Sequence, residues 1–250
     1  TANVTIGLSS SDTTEGTALP SSLLFTPSNW DETQTVTVTG EDDLIVDGSI
    51  AYSIITAAAT SSDSNYNGVN PADVSVSNTD NDAAGFTVSP TTGLVTSEAG
   101  GTATFTVRLN SQPSADVSVA LSSSDSTEGT VGPVSLTFTT VNWNAAQTVT
   151  VTGVDDLIVD GSVAYTIITA AATSSDSNYN GINPADVSVS NGDNDAAGFT
   201  VSPTAGLVTS EAGATATFTV RLNSQPSADV SIGLSSSDTS EGTGGPISRT

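Results

Sequence analysis

The chain repeats itself, and the repeat never slips register. Trp30 recurs as Trp143, Asp42 as Asp155 and Phe86 as Phe199, each 113 residues further on. On that period the 250 residues divide into the C-terminal part of a first repeat (1–82), a complete repeat (83–195) and the N-terminal part of a third (196–250). A unit of this length has room for one hydrophobic core, and self-similarity requires every unit to solve its folding problem in the same way. Part-units at both ends predict a segment of a longer array. The alternative is completion of part-units between successive molecules, head to tail, by strand exchange. Residues 1–24 and 227–250 are equivalent, so one copy would be redundant in such an exchange.

Within the complete repeat, apolar residues alternate with period two and helical spacing is missing. Strand A is expected at about 86–95, B at 103–109, C at 116–122, D at 134–139, E at 147–153, F at 163–169 and G at 186–191. In strand B, Ala103, Phe105, Val107 and Leu109 fall on one face. Seven short strands separated by Gly, Pro, Asn, Asp and Ser predict an all-β fold: tandem Ig-like sandwiches of seven strands, set end to end.

Composition removes most chemistry. The chain has no Cys, His, Met or Lys, and Arg108, Arg221 and Arg249 are its only bases. Thiolate, imidazole and Schiff-base chemistry are therefore excluded, and so are disulfides and lysine isopeptide links. What remains is hard oxygen: carboxylates, hydroxyls, amides and main-chain carbonyls, an inventory suited to Ca²⁺. A net charge of −24 argues against nucleic acid and anionic membrane surfaces as partners. No run approaches the roughly 18 apolar residues of a membrane span, so no membrane insertion is expected.

Strand parity places the acids. If consecutive strands are antiparallel, loops AB, CD and EF and the exit of G share one end of the sandwich. Glu98 lies in AB, Asp125 and Glu128 in CD, Asp155, Asp156 and Asp160 in EF, and Asp193 and Asp195 follow G. Eight of the repeat's eleven acids thus converge on one pole. Asp and Asn also favour turns for local hydrogen-bonding reasons, which suffices for Asp125 or Asp176 taken singly. It does not suffice for eight like charges together, which repel unless counterions sit among them. Ca²⁺ is expected there, with carboxylates shared between more than one ion. Only Ala83, Ala84 and Gly85 separate Asp82 from Phe86. The acidic pole of one repeat is therefore expected to face the FG and DE loops of the next, with Asp176, Asn178, Asn180 or Trp143 near it.

The segments SEAGGTATFTVRL (Ser97 to Leu109), STEGT (Ser126 to Thr130), LTF with AQTVTV (Leu136 to Val151), VDDLIVDG (Val154 to Gly161) and DND (Asp193 to Asp195) together resemble the Calx-beta motif. That motif occurs in the regulatory domains of sodium-calcium exchangers and in long bacterial surface proteins. The resemblance spans the whole repeat in order and implies an Ig-like sandwich with Ca²⁺ at its distal loops. Glu98, Asp155, Asp156, Asp160, Asp193 and Asp195 match the family's ligand segments, while Asp125 and Glu128 match only its CD loop. By repetition the expected ligands extend to Asp12, Glu15, Asp42, Asp43, Asp47, Asp80 and Asp82 in the first repeat and Glu211 in the third. The EF segment lacks further glutamates of the exchanger pattern, and the FG loop AAATSSDSNYNGINP is an elaboration to which the resemblance assigns no role.

The expected function is structural. Ca²⁺-binding repeats of an extracellular filament or cell-surface protein would be stiffened at their junctions, and copies of the same unit would be the partners, head to tail. An adhesin that binds a glycan or protein through its loops, with the repeats as spacer, is the alternative. No enzyme is expected, because the carboxylates lie in repeated turns without a unique cleft. Ser and Thr abundance leaves room for glycan decoration, and Trp30 and Trp143 are better placed for packing than for sugar stacking.

Overall fold

The computed structural model describes residues 2–244, and every regular element among them is a strand. The N-terminal region carries β1 (Val4–Ser10), β2 (Gly16–Leu19), β3 (Ser22–Phe25), β4 (Thr37–Gly40), β5 (Ile50–Thr56), β6 (Thr60–Ser61) and β7 (Val74–Asn78). The complete repeat carries β8 (Phe86–Ser89), β9 (Leu94–Ser97), β10 (Thr102–Leu109), β11 (Val117–Ser123), β12 (Gly129–Gly132), β13 (Ser135–Phe138), β14 (Gln147–Gly153), β15 (Val163–Thr169), β16 (Thr173–Ser174) and β17 (Val187–Gly192). A hairpin of β18 (Phe199–Ser202) and β19 (Thr219–Leu222) follows.

The complete repeat is a sandwich of two sheets. One runs β12-β14-β10-β8; the other runs β13-β11-β15-β17-β9, with β16 against β11. Alternation puts Phe105, Val107 and Leu109 of β10 inward and leaves Thr102, Thr104 and Arg108 outward. Facing them are Val117, Val119, Leu136, Phe138, Tyr165, Ile167, Val187 and Val189 from the second sheet. Each such side chain contributes roughly 1.5–3 kcal/mol on burial. Trp143 and Tyr179 close the end away from the acids, and Phe86 meets Phe138 and Tyr179 edge-on at 6.5 and 5.9 Å. Trp143 packs into the core of its own repeat rather than against the pole or the neighbouring repeat, and its equivalent Trp30 is exposed.

Strand A departs from expectation. It is two strands, β8 in one sheet and β9 in the other, broken over Pro90 to Gly93. Pro90 brings no N–H to a ladder, and Gly93 has φ +79°, a conformation that glycine adopts without penalty. The crossover lets β9 pair parallel with β17, Val189 opposite Leu94 through Gly192 opposite Ser97. The CD connection also holds a strand that alternation did not suggest, β12, whose Gly129–Gly132 pairs with Gly153–Thr150 of β14.

This topology sends four connections to one end: Glu98–Gly101 before β10, Ser124–Glu128 before β12, Val154–Ser162 after β14, and the exit of β17 at Asp193.

Candidate metal centre

The acidic pole is assembled from those four connections, and each is braced by main-chain hydrogen bonds. Glu98 N–H donates to Gly192 O at 3.0 Å, Gly153 N–H to Gly101 O at 3.0 Å, and Val154 N–H to Glu128 O at 2.9 Å. Carboxylates that would otherwise repel are thereby fixed close together. One oxygen from each of Glu98, Asp155 and Asp195 lies within 4.8 Å of the others, and the same holds for Glu128, Asp156 and Asp160. Because Asp155 and Asp156 are adjacent in the chain, the two sets are neighbours that share the same loop. In the N-terminal region Glu15, Asp43 and Asp47 form a third set, residue for residue the equivalent of the second. It opens onto a cavity of about 310 Å³ that Asp42, Asp80 and Asp82 also line.

The remaining expected ligands occupy different positions. Asp193 is a strut: Oδ2 accepts from Gly161 N–H at 2.9 Å and Oδ1 from Asp195 N–H at 2.7 Å, and these bonds hold its carboxyl below the ordinary value. Asp80 does the same, accepting from Asp82, Gly48 and Asp47 N–H groups, with the same downward effect. Asp125 bonds the hydroxyl and N–H of Thr127, which lower its pKa, and Asp12 bonds Thr14 alike. Asp238 makes the same turn with Ser240, so at these positions the turn-forming role accounts for the residue. Glu211 is exposed at the Ser210–Ala214 turn and joins no other acid among the described residues.

Electrostatics mark the pole as short of positive charge. Burial, with Asp155, Asp193 and Asp156 nearby, pushes the Asp195 carboxyl up, and burial and Asp42 do the same to Asp82. Asn194 N–H, 2.9 Å from Glu98 Oε2, lowers the Glu98 carboxyl, but burial together with Asp193, Asp156 and Asp160 outweighs it and leaves it raised. Glu128 is raised first by burial, against a bond from Asn191. Asp195 Oδ2 is buried and makes no hydrogen bond. A carboxylate oxygen so placed lacks a partner that a cation supplies. Clustered carboxylate oxygens are the hard donors that Ca²⁺ takes and fit no thiol- or imidazole-seeking metal.

Beneath the acids lies a buried polar layer that sequence reasoning missed. Asn191 Nδ2 donates to Val154 O at 3.0 Å and to Glu128 Oε2 at 3.4 Å, and Asn191 Oδ1 accepts from Thr96 Oγ1 at 3.0 Å. Thr96 Oγ1 lies 3.1 Å from Tyr165 Oη. At the surface above this layer, Asn194 Nδ2 donates to Asp155 Oδ1 at 2.9 Å. Asn78 repeats the Asn191 pattern on Glu41 O and Glu15. The one available signal is the recurrence of Ser-Asn-x-Asp-Asn-Asp at 77–82 and 190–195, two asparagines interleaved with the acids.

The expected juxtaposition of poles is met in part. Asn178 Nδ2 donates to Val46 O at 2.9 Å, but the second contact comes from loop BC, where Gln112 N–H donates to Leu44 O at 2.6 Å. Trp143 of loop DE is turned into the core instead, and Asp176 is turned inward onto Ser114 N–H at 2.7 Å.

No family model matches the chain, and no curated protein matches it. Among solved structures it is similar to CBD12 from CALX1.2, at 17% identity over 71% of this chain and 70% of that one, with a TM-score of 0.36. It is similar also to domains 4 and 5 of the S-layer protein SbsC, at 17% identity over 75% and 70% with a TM-score of 0.33. For WR4, a C. elegans MSP family member, the values are 15% identity, 43%, 96% and 0.29. Against SbsC domains 1–6 the chain spans 21% of that structure's length. Likenesses this distant go no further than all-β architecture.

Proposed function

We propose that the chain is a structural calcium-binding repeat region of an extracellular filament or cell-surface protein, with Ca²⁺ held at the acidic pole of each repeat so that successive repeats are stiffened end to end. The observation that carries this is the buried, unpartnered Oδ2 of Asp195, set beside Glu98 and Asp155, with the Asp195 carboxyl itself pushed up by burial and by Asp155, Asp193 and Asp156. Glu98, Asp155 and Asp195 would hold one ion and Glu128, Asp156 and Asp160 a second, each completed towards 6–8 oxygens by main-chain carbonyls and water. The protein's own residues supply the rest: Asn191 and Asn194 orient Glu128 and Asp155, and Asp193 holds the EF loop against the exit of β17. Calcium in the millimolar range outside cells saturates sites of modest affinity, and a chain without cysteine has metal as its available staple there.

Calcium titration followed by calorimetry and thermal melting tests the proposal. A ligand at 100 times its Kd stabilises by about 2.7 kcal/mol, so the melting temperature should rise by several degrees and fall back with EGTA. An identical melting curve with and without millimolar calcium, together with no heat of binding, would remove it.

A further inference from the structure

We propose that the long loop between β15 and β17, with Gln112, is a receptor for the metal loop of the preceding repeat, so that calcium occupancy in one repeat is read by the next; the inference rests on the calcium reading above. Leu44, Ile45 and Val46 are the three residues between Asp43 and Asp47, two members of the Glu15 set. Their main chain meets the following repeat. Gln112 N–H donates to Leu44 O at 2.6 Å, Ile45 and Gln112 form a parallel bridge, and Asn178 Nδ2 reaches Val46 O at 2.9 Å. The backbone that presents these two carbonyls is tied to the acids themselves, since Ile45 N–H donates to Asp43 Oδ1 at 2.8 Å.

The receiving side is built in advance. Tyr179 is fully buried, and its hydroxyl donates to Ser111 O at 2.7 Å and accepts from Ser111 N–H at 3.0 Å, which fixes the residue next to Gln112. Asp176 is buried too and accepts from the N–H groups of Ser114 and Asn178 at 2.7 and 2.8 Å. Two buried side chains of one loop therefore position both arms of the contact. At the next seam the arrangement recurs, with Gln225 N–H on Leu157 O at 2.6 Å and Ile158 bridged to Gln225. A cation that fixes Asp43 and Asp47 also fixes the three residues between them. By reciprocity, docking must then strengthen cation binding by the same factor.

The test uses the full chain, spin-labelled at Ser64→Cys and Thr104→Cys, which is clean because no native cysteine competes. Asp155→Asn and Asp156→Asn in the same background restrict calcium titration to the first pole. Calcium should narrow the label-to-label distance distribution. Asn178→Ala, which touches no acid of the first pole, should broaden it again in saturating calcium and raise the calcium Kd about fivefold. Gln112→Pro, which deletes the N–H, should act in the same direction. Calcium binding in which neither substitution changes Kd or distribution overturns the receptor role and leaves the metal site standing. A chain that takes up no calcium before any seam substitution sinks both together.

Discussion

Asp195 shows what a single side chain can reveal about this protein. Its Oδ2 is buried without a partner, and its neighbours Asp155, Asp193 and Asp156 all carry the same charge. Asp82, Glu98, Glu128 and Asp195 all have raised carboxyls, so they bind protons more tightly folded than unfolded. Their contribution to stability is complete below the ordinary carboxylate value of about 4 and is lost as pH climbs through their raised folded values. The lowered groups, Asp12, Asp80, Asp125, Asp176, Asp193 and Asp238, run the other way and weaken the fold only in acid, below that ordinary value. In EGTA the melting temperature should therefore decline as pH rises from about 4 towards neutrality, and in calcium that slope should reverse, because ligation requires the carboxylates deprotonated. Asp195→Asn should raise the melting temperature in EGTA at neutral pH, flatten the decline and shrink the calcium-induced rise. A variant that melts like wild type in both conditions would show that Asp195 carries no strain and holds no ion.

At the scale of elements, the end of β14 tolerates little change near the pole. A Cβ on Gly153 would lie 2.3 Å from Ser97 O and 2.5 Å from Asn191 Oδ1, and the first of these is main chain that cannot swing aside. Gly153→Ala should cost about 1–3 kcal/mol in denaturant unfolding and displace both the Glu98 turn and Asn191, so calcium should bind more weakly as well. Most strands were legible because alternation survives wherever one face is wet: Phe105, Val107 and Leu109 on β10, and Val149 and Val151 on β14. Strand β9 was hidden because Leu94–Ser97 is too short for its alternation to separate from β8, and its partner, β17, lies far along the chain. Strand β12 was hidden because glycines bound it and only Val131 marks a face. Strand parity brought Glu98, Glu128, Asp155, Asp156, Asp160 and Asp195 to one pole, but it did not separate them from turn formers such as Asp125, and it gave no sign of Asn191, Asn194 and Thr96. Those residue types are common in turns, and only the fold reveals that their bonds end on Glu128, Asp155 and Tyr165.

For the molecule as a whole, a formal charge of −24 is gathered largely where repeats meet rather than spread over the sheets. Short connections and near-identical neighbours make the seam, not the core, the place where one repeat differs from a string of them. The parallel pairing of β9 with β17 has a mechanical consequence. Load applied along the chain enters the complete repeat near its first strands and leaves at its last, and two of these lie side by side, pointing the same way, bonded from Leu94 and Val189 to Ser97 and Gly192. Pulling them apart lengthwise must shear those bonds together instead of unzipping them in turn. Stretched between a tip and a surface, the repeat should yield abruptly and at high force, and Thr96→Pro, which removes a donor from that pairing, should make it yield softly.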